Sequence, residues 1–196
     1  RYAGLHPFQV IVRHPSDPAA VPNMVPYHDL RTILAARRGL GGDEDWDRSV
    51  SDDRLRQAAE ASLDELRRRE RRDTDIVASD LFADAGIDAT HTINHATNVV
   101  LGALAQRILD QLGTGSTVRD PGRELLGGVR APVEGRVLNA LGLQGDSRPN
   151  WSVDGAAVSP DSVHRAHLQW YADRPEFVDA ALERHAELIR ILELAP

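Results

Sequence analysis

The sequence of 196 residues contains no cysteine. Disulfide bonds, thiolate zinc sites and cysteine nucleophiles are therefore excluded within these residues. This absence is typical of a protein from a reducing compartment, and we expect a cytoplasmic location. No apolar run approaches the roughly 20 residues needed to span a bilayer, and the first residues lack the pattern of a secretory signal. We therefore expect no membrane span.

Aromatic residues are also scarce, at 5% of the chain, and the formal net charge is −7. Proteins that bind nucleic acids usually present a net basic face, and those that hold single strands stack the bases on aromatic side chains. We therefore expect no nucleic-acid partner. Apolar residues make up 41% of the chain and charged residues 27%, which is typical of a globular domain.

The length predicts a single domain over residues 1–196. The chain begins with Arg1, and its only methionine is Met24. An unprocessed translation product begins with methionine. We therefore expect these residues to belong to a longer chain, with part of the fold lying before Arg1.

Apolar periodicity and capping residues predict a mainly helical protein. The predicted helices are 30–38, 51–72, 76–85, 97–112, 133–141, one from Pro160 and a last one from Pro175 to Leu192. The last two form an antiparallel hairpin in this prediction. A β-branched run within residues 5–12 predicts a strand. The expected fold class is α/β, predominantly helical, with helices around a small parallel sheet.

Residues that can carry chemistry are concentrated in the segment Thr90–Asn98, which contains two histidines, two asparagines and three threonines. A histidine in a turn before a helix can act as a general base, and either asparagine can donate a hydrogen bond to an oxyanion. The alternative is ordinary helix capping by these polar residues.

His91 and His95 are four residues apart, as in a helical metal-binding pair. The acid of that motif is absent, because Asn94 precedes His95, and no third ligand stands at a characteristic spacing. Zinc sites prefer three or four protein ligands. We therefore expect no metal.

Tyr27, His28 and Asp29 form a second polar cluster. Asp29 is poorly placed to orient its neighbour His28, but it could orient a histidine elsewhere in the fold, as in a catalytic triad. The alternative is that Asp29 caps the helix beginning at Leu30, while Tyr27 packs in the core. The sequence leaves both interpretations open.

Several segments resemble the WcbI family of polysaccharide-biosynthesis proteins. They are Leu5-His6-Pro7-Phe8-Gln9, Val25-Pro26-Tyr27-His28-Asp29-Leu30-Arg31, His91-Thr92-Ile93-Asn94-His95 with Asn98, Val158-Ser159-Pro160, Ala166-His167-Leu168 and Arg184-His185-Ala186-Glu187-Leu188. The resemblance spans most of the chain. It implies a largely helical fold around a small sheet.

The resemblance also implies a coenzyme-A-dependent O-acyltransferase that moves an acetyl or related group to a sugar or similar hydroxyl. Such a reaction belongs to the biosynthesis of capsule, other polysaccharides, glycoconjugates or natural products. The expected catalytic residues are His95, as the base, with His28 and Asp29. The residues expected to bind substrate or cofactor are Tyr27, His91, Thr92, Asn94, Asn98 and His6.

Family members begin with a strand and a Gly-Asn-Cys-Gln turn, and this sequence contains neither that turn nor any cysteine. We expect the turn to lie in a preceding segment. The alternative is direct transfer from thioester to hydroxyl, with His95 as base.

Two other functions stay open. The same groups could activate water, which would make the protein an ester or thioester hydrolase. Histidines that only form hydrogen bonds would instead make it a non-catalytic sugar or nucleotide binder. We expect a small-molecule or saccharide substrate for the enzyme, and the sequence leaves a homo-oligomer open.

Overall fold

The structure, a computed structural model, describes residues 2–42 and 44–194. Within them, helices carry most of the regular structure, and every strand is two or three residues long. The helices are α1 (Leu30–Arg38), α2 (Asp52–Asp73), α3 (Ser79–Ala85), α4 (Asn98–Gln111), α5 (Gly135–Leu141), α6 (Pro160–Ala172), α7 (Pro175–Arg184) and α8 (Ala186–Ile191). The strands are β1 (Gln9–Val10), β2 (His28–Asp29), β3 (Thr90–Thr92), β4 (His95–Ala96), β5 (Val129–Arg130), β6 (Trp151–Val153) and β7 (Ala156–Val158).

The strands of the described residues form small antiparallel sheets, ordered β1-β2, β3-β4 and β5-β6-β7. The predicted parallel sheet is therefore wrong. The short connections explain the antiparallel pairing of two strand pairs. Two residues join β3 to β4, and two residues join β6 to β7. Parallel pairing needs a crossover of about a dozen residues or more, so such short turns permit only antiparallel pairing.

The predicted helix at residues 30–38 is confirmed as α1. Asp29 caps it by accepting a hydrogen bond from the backbone N–H of Arg31 at 2.8 Å. Gly39 ends it with a left-handed φ of 70°, a conformation that glycine adopts without steric cost. Because both ends are fixed, the side chains near the start of α1 have defined directions.

The C-terminal region is helical, as predicted, but the last helix is not continuous. Ser159 caps α6, and two residues separate α6 from α7, which packs against it. His185 has a φ of −110° and divides the predicted final helix into α7 and α8. None of the helices in the described ranges is both long and apolar enough to cross a membrane.

Three clusters of buried apolar side chains hold the fold together. The main core joins α1, α2, α5, α6 and α7 through Leu30, Leu55, Val137, Tyr171 and Phe177. A second cluster surrounds Tyr27 and Trp151, and a third surrounds Leu5 and Val133. The cleft described below is lined by members of all three clusters.

Candidate functional site

A cleft of about 730 Å³ opens where the three apolar clusters meet. Its walls come from the residues before and within α1, from Gly42 and residues 44–47, from residues 132–149 and from the start of α6. Its polar and aromatic lining includes His6, Gln9, Tyr27, Asp29, Arg31, Trp46, Asp47, Glu134, Asp161 and His164. Pockets that bind small ligands typically have volumes of roughly 300–1,000 Å³.

A buried arginine organises the cleft wall. Arg31 is 6% exposed and clamps both oxygens of Asp29, from Nε at 3.0 Å and from Nη2 at 2.6 Å. It also donates to Asp47 at 2.6 Å and to Glu134 at 2.9 Å. Desolvation alone would lower the pKa of Arg31, but these carboxylates outweigh it and raise that pKa. The guanidinium therefore stays charged.

Arg136 extends this network by donating to Glu134 at 2.6 Å and to Asp47 at 2.7 Å. Desolvation alone would raise the pKa of Asp47, but Arg31 and Arg136 outweigh it and lower that pKa. Two arginines thus hold three carboxylates, counting Asp29. The network has one negative charge in excess, so this wall of the cleft is acidic.

Asp29 is both a helix cap and the clamp on Arg31. Its Oδ1 accepts from the backbone and side chain of Arg31, and its Oδ2 accepts from the side chain. Asp29 therefore caps α1, which is one of the two roles that the sequence left open. In the described part of the chain, both oxygens accept hydrogen bonds from Arg31 and neither accepts one from a histidine, so Asp29 does not orient a histidine in the way a triad carboxylate does.

Three deeply buried side chains of the cleft each have a polar atom with no hydrogen-bond partner among the described residues. They are Nε2 of His6, Oε1 of Gln9 and Nε2 of His164, in side chains that are 2%, 7% and 1% exposed. An unpaired buried polar group costs about 1–3 kcal/mol. All three residues line the cleft, and the three atoms themselves are shielded from solvent in this conformation.

His6 has a defined tautomer. Its Nδ1 lies 3.0 Å from the carbonyl oxygen of Pro132, which can only accept, so Nδ1 carries the hydrogen and Nε2 the lone pair. Desolvation lowers the pKa of His6 to about 4; the backbone carbonyls of Pro132 and Thr90 oppose the shift, and the nearby charges of Arg148 and His91 add to it. The ring is neutral at pH 7.

Trp46 forms the outer aromatic wall. Its ring stacks on His164 with 4.5 Å between ring centroids, and its Nε1 donates to Asp161 at 3.2 Å. His164 Nδ1 lies 2.9 Å from the hydroxyl of Thr32, and desolvation lowers the pKa of His164. Trp46, Gln9 and His164 were not among the predicted site residues. They come from three distant segments, so no local pattern in the sequence could have joined them.

Two arginines of like charge lie beside the cleft. Arg148 sits between Ser147 and Pro149, which line the cleft, and Arg130 ends β5, two residues before Pro132. Desolvation and then the charge of Arg130 lower the pKa of Arg148. The Nε of Arg148 is buried and has no partner among the described residues. Two adjacent cations with an unused donor form a place where an anion would be stabilised.

Two residues of the Thr90–Asn98 segment bond to a neighbouring loop. His91 is 3% exposed, and its Nε2 lies 2.9 Å from Glu124. Desolvation lowers the pKa of His91, and Glu124 opposes this shift. Asn98 donates to the carbonyl of Arg123 at 2.8 Å and accepts from the backbone N–H of Leu125 at 3.0 Å. These bonds fix the loop 123–125 at the start of α4.

Other residues of the segment contact Tyr27. Thr92 Oγ1 is 3.1 Å from both the Tyr27 hydroxyl and the Asn94 amide oxygen. The ring of His95 meets the ring of Tyr27 edge-on, at 6.3 Å between centroids. Tyr27 lines the cleft, but the predicted residues of the Thr90–Asn98 segment do not. Buried atoms without a partner occur here as well, at Thr90 Oγ1, His91 Nδ1 and His95 Nδ1.

His28 lies in the main core. It is 2% exposed, its Nδ1 is 2.7 Å from the Tyr171 hydroxyl, and its ring packs against Phe177 at 4.6 Å. Desolvation lowers the pKa of His28 to about 3. Successive residues of a strand point to opposite sides, so β2 directs Asp29 to the cleft and His28 away from it. Within the described ranges, no group of three or more histidine and acidic side chains could hold a metal ion.

Comparison with known proteins identifies the family. The profile of the family described as "Polysaccharide biosynthesis enzyme WcbI" matches residues 1–117, more than half of the chain. The chain belongs to the WcbI family. The match includes His6, Gln9, Arg31 and Trp46, whereas the cleft wall formed by residues 132–165 lies outside it.

The fold is similar to a solved structure of WcbI, described as a novel polysaccharide biosynthesis enzyme in its native form without a disulfide bond between coenzyme A and a cysteine. The TM-score is 0.72 at 16% sequence identity, over 98% of this chain and 68% of that chain. Identity this low shows a shared fold. No curated protein matches the chain.

Proposed function

We propose that this member of the WcbI family transfers an acyl group from coenzyme A to a hydroxyl, with His6 as the general base. The observation that carries the proposal is the position of His6 between two groups of opposite charge. It lines the acidic cleft, and it lies close enough to Arg148 for that charge to lower its pKa. An acyl donor on the side of Arg148 and a hydroxyl acceptor in the cleft would meet at His6.

Arg130 and Arg148 fit the phosphates of coenzyme A. Guanidinium groups bind phosphate oxygens in a bidentate fashion, and the unpartnered Nε of Arg148 would gain an acceptor. The acidic wall around Arg31 does not fit those phosphates. We therefore assign the donor to the arginine pair and the acceptor to the cleft. The mention of coenzyme A in the description of the similar WcbI structure supports this choice of donor.

His6 can perform both proton transfers of the reaction. Acyl-coenzyme A supplies an activated thioester carbonyl carbon. His6 Nε2 accepts the proton of the acceptor hydroxyl as the hydroxyl oxygen bonds to the acyl carbon, and it returns that proton to the sulfur as the carbon–sulfur bond breaks. The low pKa makes the imidazolium a strong acid, which suits the second transfer, and makes the imidazole a weak base in the first, so the step needs a bound substrate that raises the pKa of His6. The products are an ester and free coenzyme A thiol.

This step requires no cysteine within these residues. If a cysteine outside them first received the acyl group, the acceptor hydroxyl would still have to lose its proton as it attacked. His6 would then serve the second half of a two-step reaction, and His95 remains the rival base for either route. The acceptor step is therefore the one that this chain can be tested for.

The experiment measures thiol release from acetyl-coenzyme A with and without sugar acceptors, alongside calorimetry of coenzyme A binding. We expect acceptor-dependent release and formation of an acetyl ester. The double variant Arg130→Gln/Arg148→Gln should weaken coenzyme A binding by about tenfold or more, because two charged contacts are lost. The control Arg71→Gln/Arg184→Gln removes two exposed arginines elsewhere and should bind normally.

Two outcomes would contradict the proposal. Unchanged coenzyme A binding in Arg130→Gln/Arg148→Gln would refute the donor assignment. Thiol release that does not depend on any acceptor would favour the thioester hydrolase instead.

A further inference from the structure

We propose that helix α4 pairs with α4 of a second copy of this chain, in an antiparallel arrangement about a two-fold axis. The inference is independent of the proposed reaction. It starts from a contrast between the composition of α4 and its surroundings. Eight of the 14 residues of α4 are valine, leucine, isoleucine or alanine, but only Val100 is buried.

The apolar side chains of α4 do not reach the hydrophobic cores. Among the described residues, none from α4 belongs to the three apolar clusters or packs against them as a partly buried neighbour. Ile108 and Leu112, near the end of the helix, are 38% and 69% exposed. A helix that is apolar on most sides is normally buried, so the exposure of α4 is typical of an interaction surface.

Two sides of α4 are occupied by the rest of the chain. On one side, Arg107 donates to both oxygens of Asp80 in α3, at 2.8 and 2.9 Å. On another, Gln106 donates to the carbonyl of Ser116 at 3.1 Å and accepts from the N–H of Val118 at 2.8 Å. The remaining side carries an apolar stripe with a spacing of three or four residues, made of Leu101, Leu104, Ala105, Ile108 and Leu112.

The stripe carries no charge, which favours a second copy over a charged partner. The charged residues of α4 are Arg107 and Asp110. At 100° per residue, both point away from the stripe. The whole chain has a net charge of −7, but two identical stripes can meet without repulsion between like charges.

A membrane surface fits α4 less well than a protein does. Helices that lie in a lipid headgroup layer present lysine and arginine on their polar face. Helix α4 contains no lysine, and its single arginine is already paired with Asp80. Nothing in the helix would attract an anionic lipid.

The order of side chains in the stripe is self-complementary in an antiparallel pair. When the two-fold axis lies level with the peptide bond after Gln106, Leu101 lies opposite Leu112 of the partner subunit. Ala105 then lies opposite Ile108 of the partner subunit, so that a small side chain faces a large one. Antiparallel helices also place the positive start of one helix beside the negative end of the other.

The size of the surface predicts a weak, reversible dimer. Helix α4 is about 21 Å long and about 11 Å wide, so the half that faces a partner covers roughly 350 Å². Standard stable interfaces bury about 800 Å² on each partner. We therefore expect a dissociation constant on the order of 10–100 µM.

Sedimentation velocity of the chain between about 5 and 500 µM tests the pairing. We expect the average mass to rise with concentration from 21.5 kDa towards twice that value. Ile108→Lys should raise the dissociation constant by about thirtyfold or more, because each dimer loses two apolar contacts and buries two charges. The matched control Val99→Lys replaces an exposed residue of the same helix outside the stripe, and it should change the constant by less than about twofold.

A mixture of two variants tests the antiparallel register. Ala105→Glu and Ile108→Lys should each be monomeric at about 100 µM, whereas their equimolar mixture should dimerise, because the introduced carboxylate faces the introduced ammonium. Thermal unfolding checks that each variant is folded. A mixture that stays monomeric would contradict the antiparallel register.

Two outcomes would overturn the inference. One is a chain that stays monomeric up to about 500 µM, or a folded Ile108→Lys variant that dimerises like the unmodified chain. The other is binding to phosphatidylcholine or phosphatidylglycerol vesicles that Ile108→Lys abolishes, without any dimer in solution. That result would assign the stripe to a membrane surface.

Discussion

The cleft and the Thr90–Asn98 segment both gather polar side chains, but they use them differently. In the segment, His91 and Asn98 bond to the loop 123–125 and fix it at the start of α4. In the cleft, Gln9 and His164 line an open volume. Unpartnered atoms occur in both regions, so the open volume makes the difference. A dense polar stretch in a sequence can serve local structure as readily as catalysis.

The largest expected effect compares one histidine from each region. His6→Gln should lower kcat by about 10²–10⁴, the usual contribution of a general base. His95→Gln should lower it by less than about tenfold, because His95 contacts Tyr27 but does not itself line the cleft. Steady-state acetyl transfer with a sugar acceptor measures both. A greater loss of kcat in His95→Gln than in His6→Gln would indicate that the general base is His95.

The second prediction concerns the stability of the cleft wall. Arg31→Lys should lower the free energy of unfolding by about 3 kcal/mol, because an ammonium cannot clamp Asp29 and reach Asp47 and Glu134 at once. Urea unfolding at pH 7 measures this loss. Arg68→Lys is the matched control, since Arg68 pairs with Glu65 on the surface of α2 and should change stability by less than about 0.5 kcal/mol. Equal effects of the two substitutions would contradict the network described for the cleft.

The third prediction uses the pKa values of buried histidines. His6, His28 and His167 have folded pKa values of about 4, 3 and 4, below the ordinary value of 6.5, and desolvation is the largest cause of each. Below pH 6.5 the unfolded chain therefore binds more protons than the folded one. Stability is fully present above that pH and falls as the pH drops towards 4. Each histidine contributes up to about 1.4 kcal/mol per pH unit.

The double variant His28→Phe/Tyr171→Phe tests this slope. It replaces both partners of a buried hydrogen bond by apolar rings. Such a double replacement can leave the free energy of unfolding at pH 7 nearly unchanged. Between pH 7 and pH 5, urea unfolding should show a loss of stability smaller by about 2 kcal/mol, because the slope approaches about 1.4 kcal/mol per pH unit only below the unfolded pKa of 6.5. An unchanged slope would mean that His28 does not resist protonation in the core.

The smallest expected effect belongs to the Thr90–Asn98 segment. Asn98→Ala should cost about 1 kcal/mol of stability, since it removes two hydrogen bonds to the exposed loop 123–125. Acyl transfer should change by less than about threefold, because Asn98 does not line the cleft. Thermal unfolding and the transfer assay measure the two quantities. A large loss of turnover with normal stability would give Asn98 a direct role in catalysis.

Local signals predicted the local structure well. Asp29 and Gly39 mark the start and end of α1, as the sequence indicates, because a cap and a left-handed glycine act within a few residues. The β6-β7 hairpin was missed, although Asp154-Gly155 has φ values of 48° and 86° and its sequence is a strong hairpin signal. The turn lies between the predicted helix 133–141 and the helix predicted from Pro160, where no element was expected.

The site could be predicted only in part, for a different reason. His6, Tyr27 and Asp29 were expected and do line the cleft. Gln9 and His164 join them only because α1, α6 and β1 pack together, which no spacing along the chain reveals. The expected roles of His95 and His28 stay predictions, with His95 against Tyr27 and His28 in the main core. Packing decides which polar residues face an open volume.

Chemical-shift mapping tests most directly whether substrates bind at the cleft. The ¹⁵N-labelled chain is titrated with coenzyme A and then with a neutral methyl glycoside. We expect the largest amide shifts in residues 5–9, 44–47 and 147–148 and near Arg130, with small shifts at Asn94 and His95. Large shifts confined to the Thr90–Asn98 segment and the loop 123–125, with none along the cleft walls, would contradict the account.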